Sequence, residues 1–177
     1  MGRINCEDPM IFLIISQKCP FNSNYTLNNL TGHGRFDIIC RSILASTREL
    51  QSDKGSSIFC YLKGGEEKGW LKIDPSFVEE KDDEISIAAK IKNNWSKIAT
   101  KGNLINLFGQ LPKPITLLSE YGDSPTSFTG TIVLGAQNDI SRNDKITLEI
   151  EKKISLGNKS LLASHAIIYV RQINLKM

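Results

Sequence analysis

Ile115-Thr116-Leu117-Leu118-Ser119 and Thr131-Ile132-Val133-Leu134 are two short apolar runs in the last third of the chain. Each empties into a polar loop, Tyr121-Gly122-Asp123 after the first and Gly135-Ala136-Gln137-Asn138-Asp139 after the second. Runs this short and this apolar read as strands covered on both faces, as in a parallel sheet. Ile11–Ser16 repeats the pattern near the start, and residues 57–62, 70–73 and 153–156 supply shorter versions. The segments between them have the other period. Phe36, Ile39, Cys40, Ile43, Leu44 and Leu50 recur at helical spacing over 35–50, and Ile85, Ala88, Ile91, Trp95 and Ile98 do so over 85–98. Leu104–Phe108 reads as a shorter helix stopped by Pro112 and Pro114. Asn143 or Asp144 can cap another through about 151, and 160–173 forms the last, with Leu161, Leu162, His165, Ile168 and Tyr169. Strands alternating with helices give an α/β domain with a mainly parallel sheet. Ligands of such sheets bind beyond the carboxyl ends of the strands, here the loops after Leu118, Leu134 and Leu156.

The chain has 177 residues, 40% apolar and 23% charged, with a formal net charge of +3. That length suits one domain with a substantial core and is short for two. Residues 1–9 show no period and read as a flexible extension, leaving 10–177 as a single domain. The Ile11–Ile15 run is far below a membrane span and lacks the flanks of a signal peptide, so no membrane partner and a cytoplasmic location are expected. Cys6, Cys19, Cys40 and Cys60 form no CxxC pair, and with two histidines they offer no zinc spacing; no metal is expected. Reduced thiols, with Cys40 and Cys60 in the core, are the simpler reading. The acidic run at 79–84 directly precedes a helical pattern, where carboxylates meet the helix dipole favourably, and reads as a helix start.

Several chemistries are excluded by missing motifs. No GxGxxG follows a strand, there is no Walker lysine loop, and Lys63-Gly64-Gly65 reads as a hairpin turn. No Gly-x-Ser-x-Gly elbow supports a hydrolase triad. The remaining cluster is Gly34-Arg35-Phe36-Asp37-Ile38-Ile39-Cys40-Arg41, opening an amphipathic helix on which Arg48 also lies. Its first turn is either a place where arginine and free backbone N–H groups hold a phosphate, or an ordinary solvated helix start.

That cluster resembles the GR-L-D-L-L-C-R signature of the archaeal TrmY family, tRNA pseudouridine-54 N1-methyltransferases. The opening strand Ile11–Ser16, the segment from Asp83 through Trp95, and Lys153-Ile154-Ser155-Leu156 through Ala163-Ser164-His165 are similar to successive parts of that family, over nearly all of 10–174. The resemblance implies a SPOUT fold: a parallel sheet flanked by helices, with a C-terminal trefoil knot. It implies S-adenosylmethionine as cofactor, tRNA as partner and a homodimer. Carried over by position, the cofactor pocket comprises Leu118, Gly135, Leu156, Gly157, Asn158, Lys159, Ser160, Leu161 and Ala166. Arg35, Arg41, Arg48 and Lys18 are expected on the RNA surface. Asp37 is expected to receive or relay a proton, with Arg35 placing a phosphate or stabilising an anion; alternatively Asp37 pairs with Arg35 or Arg41 to order the helix start. The chain departs from the family at Ala166, commonly cysteine, and at Ala136-Gln137-Asn138-Asp139, where Asp-His-x-Gly is usual. The usual Arg-Arg-Asp after the signature helix is reduced to Arg48-Glu49. A ribosomal RNA pseudouridine N1-methyltransferase and a non-catalytic RNA-binding protein of the same fold are the alternatives.

Overall fold

A computed structural model describes residues 10–125, 127–157 and 160–176. The N-terminal extension expected at 1–9, with Cys6, lies outside them. Seven strands form one sheet: β1 (Ile11–Ser16), β2 (Ile58–Leu62), β3 (Gly69–Ile73), β4 (Ala99–Lys101), β5 (Ile115–Asp123), β6 (Thr131–Gly135) and β7 (Lys152–Ile154). Their order is β4-β3-β2-β1-β6-β5-β7. β2, β1, β6, β5 and β7 run parallel, while β3 and β4 continue the sheet antiparallel from the hairpin at Lys63-Gly64-Gly65. The α/β, mainly parallel architecture expected from the sequence is the one observed. Its chain order reverses between β1 and β6, so the loops leaving these two strands face one another across the crevice where such sheets bind ligands.

Both sheet faces are covered because alternate residues of each strand point opposite ways. Phe12, Ile14, Ile58, Cys60 and Ile132 pack beneath helices α1 (Phe36–Thr47), α2 (Glu84–Asn93) and α6 (Ala163–Leu175). Leu13, Ile15, Phe59, Tyr61 and Val133 pack on the other side with Leu104 and Leu107 of α4 (Leu104–Phe108) and with Leu148, beside α5 (Arg142–Thr147). Cys40 and Cys60 are fully buried, as expected, and Cys19 joins them. Burial pushes the Cys19 thiol up to about 12, which leaves it an inert core group. Among the described residues no helix is long and apolar enough to cross a membrane.

Several boundaries differ from the sequence expectation for local reasons. The helix read over 85–98 is two helices, α2 and α3 (Trp95–Ile98), because the Asn94 side chain donates to the Lys90 carbonyl at 2.8 Å and ends the first. The acidic run is a helix start: Asp83 and Ser86 form a reciprocal capping box. Asp82 accepts from the Glu79 N–H and from Lys90, and Glu84 pairs with Arg41. Ser141, not Asn143 or Asp144, caps α5. Tyr121-Gly122-Asp123 is the irregular end of β5 rather than a loop, and α6 begins at Ala163, after Leu161 and Leu162.

Candidate functional site

The carboxyl ends of β5, β6 and β7 and the first turn of α6 enclose a cleft with about 700 Å³ of empty space, part of it open to solvent. Seven residues expected at the cofactor pocket line it: Leu118, Gly135, Leu156 and Gly157 from the strand ends, Ser160 and Leu161 from the next loop, and Ala166 from α6. The other two expected there, Asn158 and Lys159, lie outside the described residues. The wall is built by backbone constraints. A Cβ on Gly135 would stand 1.9 Å from the Asn138 carbonyl oxygen, so the loop can fold back on the end of β6 only over glycine. Ser155 Oγ, with one hydrogen to donate, lies 2.9 Å from the Gly157 carbonyl oxygen and 3.2 Å from that of Glu120, bridging the loop after β7 and the end of β5. Ala163 and Ala166 are small enough to bring the helix up to the cleft floor.

The second half of the site is the turn into α1. Gln137, from the cleft wall, donates its Nε2 hydrogen to the Gly34 carbonyl at 2.9 Å. Gly34 (φ +59°) packs on the chain after β1, where a Cβ would lie 2.3 Å from the Lys18 carbonyl oxygen. Arg35 caps α1 in the left-handed region (φ 63°, ψ 48°), costly for a residue with a Cβ. The compensation is Asp37, whose carboxylate accepts from Arg35 Nε and Nη2, both at 2.9 Å, and from Arg41 Nη2 at 3.1 Å. These bonds hold the Asp37 carboxyl below the ordinary carboxylate range, the Arg35 hydrogen bond contributing most. The ion-pair arrangement is the one observed: both oxygens of the Asp37 carboxylate are engaged, and the pair orders the turn that carries Arg35.

The four expected RNA contacts do not form one stripe. Exposed Lys18 and half-exposed Arg35 flank the same turn. Arg41 is turned onto Asp37 and Glu84, at 3.1 and 2.6 Å. Arg48 sits beyond the far end of the 12-residue helix, about 18 Å along its axis. Its guanidinium donates to the Asp82 carbonyl and borders a separate hollow with Lys54, Pro75 and Glu79. Sequence reading also missed a clamp below the crevice: Asp144 of α5 accepts from Lys63 at 2.9 Å and from Gln17 at 3.3 Å, joining the chain after β1, β2 and β6. No local pattern signals a pair 81 residues apart.

Acid should loosen the turn at Gly34 in two stages. Burial lowers the His33 pKa from its ordinary 6.5, and the Arg35 hydrogen bond lowers that of Asp37 from 3.8. Both folded values lie below the unfolded ones, so each contribution is present above the unfolded pKa and lost as pH falls toward the folded one. Urea midpoints should hold above pH 6.5, decline as the unfolded chain protonates His33, and decline again below 3.8. His33→Gln should remove the first decline; an unchanged profile would assign it to other groups.

The chemistry of the cleft suits a nucleoside cofactor that carries positive charge. Leu118, Leu134, Leu156 and Leu161 offer apolar cover for a base, and the two charged residues among the described lining, Glu120 and Asp139, are acidic. Residues 10–177 match the family described as "Putative SAM-dependent RNA methyltransferase". The chain belongs to this family. S-adenosylmethionine is therefore its cofactor, and methylation of RNA its class of reaction. The chain is also similar to the crystal structure of Archaeoglobus fulgidus Nep1 bound to S-adenosylhomocysteine, with a TM-score of 0.65 at 11% identity, over 96% of this chain and 97% of that one. At that identity the likeness is one of fold, and it bears out the mainly parallel sheet flanked by helices expected from the sequence. No curated protein sequence matches the chain.

Proposed function

We propose that this family member methylates N1 of a pseudouridine in tRNA, at position 54 by the TrmY resemblance, with the cleft of β5, β6 and β7 as cofactor site. The observation that carries the reading is the Gln137–Gly34 hydrogen bond, because it seats the signature segment Gly34–Arg41 directly against the cleft wall. The nine residues Leu118, Gly135, Leu156, Gly157, Asn158, Lys159, Ser160, Leu161 and Ala166 form the cofactor site in this reading. Bound S-adenosylmethionine supplies a methyl group activated by its sulfonium. The apolar walls cover the base, and the fixed loops present backbone groups to the ribose. Arg35, braced by Asp37, takes a phosphate or the developing negative charge on the uracil ring. The new N1–C bond replaces the S–C bond, and the N1 proton leaves to water through the open cleft. Alignment of two bound reactants can supply about 7–11 kcal/mol of the barrier reduction, so no strong base is required. Uridine has its N1 in the glycosidic bond, which restricts the chemistry to pseudouridine.

Exposed Leu162 and Tyr169 of the α6 region give a second copy of the chain an apolar surface to cover, and we assign the homodimer to this face. The resemblance places the trefoil knot in the same C-terminal third. Labelled methyl groups should enter tRNA that contains pseudouridine and not the same transcript with uridine; transfer to ribosomal RNA alone would move the chain to the ribosomal branch. Arg35→Ala should weaken tRNA binding and flatten its logarithmic salt slope by about one unit. Unchanged affinity and slope would take the turn into α1 out of the RNA surface.

A further inference from the structure

We infer that the cleft distinguishes the methyl donor from its demethylated product by charge, through Glu120 and Asp139. The inference rests on the assignment of the cleft as the cofactor site and goes on to its specificity. Glu120 and Asp139 stand on different loops, at the ends of β5 and β6, and both line the same cleft. Neither belongs to an ion pair among the described residues, whereas Asp37 is paired with two arginines and Asp144 with Lys63. Their backbones are fixed. The Glu120 carbonyl oxygen lies 3.2 Å from Ser155 Oγ, and Asp139 follows the Asn138 carbonyl that closes on Gly135. The remaining described lining is neutral: leucines, alanines, glycines, serines, Gln137 and Asn138.

Transfer of the methyl group turns a sulfonium into a neutral thioether, so the donor carries one positive charge more than the product. Two carboxylates in a partly enclosed cleft attract the donor over several ångströms and lose that attraction when the S–C bond breaks. The same pair therefore favours loading of the donor and release of the product. Both carboxylates are exposed, so the preference is modest and sensitive to salt.

Calorimetric titration of the full chain with S-adenosylmethionine and with S-adenosylhomocysteine tests this. Wild type should bind the donor about five- to tenfold more tightly than the product at 0.1 M salt, and the ratio should shrink toward one at 1 M as the screening length falls from about 10 Å to about 3 Å. Glu120→Gln together with Asp139→Asn should bring the ratio near one at low salt, by weakening the donor and sparing the product. A wild-type ratio at or below one, or a ratio unchanged in the double variant, would overturn the inference while leaving the cleft as cofactor site. Binding of neither compound to wild type would overturn the cofactor assignment and this inference with it.

Discussion

Gly135→Ala should weaken S-adenosylmethionine binding at least tenfold and methyl transfer about a hundredfold, with the fold retained. Gly135 closes β6, opposite Ile15 of β1, and the next N–H, of Ala136, donates to the Ile15 carbonyl at 2.9 Å. The strand end is thus held on one side by the sheet. On the other side the loop returns so closely that a Cβ would meet the Asn138 carbonyl oxygen at 1.9 Å, against an ordinary contact of 3.4 Å or more. The obstacle is backbone, which cannot rotate aside, so the loop must move by more than an ångström. Gln137, Asn138 and Asp139 move with it, and so does the hydrogen bond to Gly34. One methyl group therefore disturbs both halves of the site. Circular dichroism separates this from unfolding, and affinity within threefold of wild type would show that the loop plays no part in holding the cofactor.

Arg171→Met should cost about 3–5 kcal/mol of stability. Arg171 lies on α6 with none of its side chain exposed. Its guanidinium donates to Asp53 at 2.7 Å and to the carbonyl oxygens of Ala45 and Arg48, at 2.6 and 2.5 Å. Those carbonyls end α1, where no intrahelical N–H remains for them and where the helix dipole favours a cation. Methionine keeps most of the volume and removes every donor, stranding a carboxylate and two carbonyls. For a chain of this size the loss corresponds to a fall in Tm of roughly 10 °C. A shift of only one or two degrees would mean that water reaches the three acceptors and replaces the arginine.

The sheet was legible because its signals are local. Ile11–Ser16 and the runs at 115 and 131 are apolar enough to be read one at a time, and the stripe from Phe36 to Ile43 has a helical period no strand shares. Errors came where a side chain looks elsewhere. Asp144 has the chemistry of a cap but turns inward to Lys63, leaving the cap to Ser141. Arg48 lies on the expected helix but at its far end. The strand ends that line the cleft were visible in one dimension, as apolar runs that empty into polar loops, while the individual positions expected there came from the family resemblance. The link from Gln137 to Gly34 spans 103 residues and the clamp on Asp144 reaches 127, and contacts of that range leave no periodic trace.

A crystal structure of the chain soaked with S-adenosylhomocysteine would show where the cofactor sits. The adenine is expected between Leu118 and Leu156, with the ribose over the Gly135 turn and the sulfur directed toward the Gly34–Arg35 side. Density in the hollow beside Arg48 and Lys54, or an adenine outside the cleft formed by β5, β6 and β7, would contradict it.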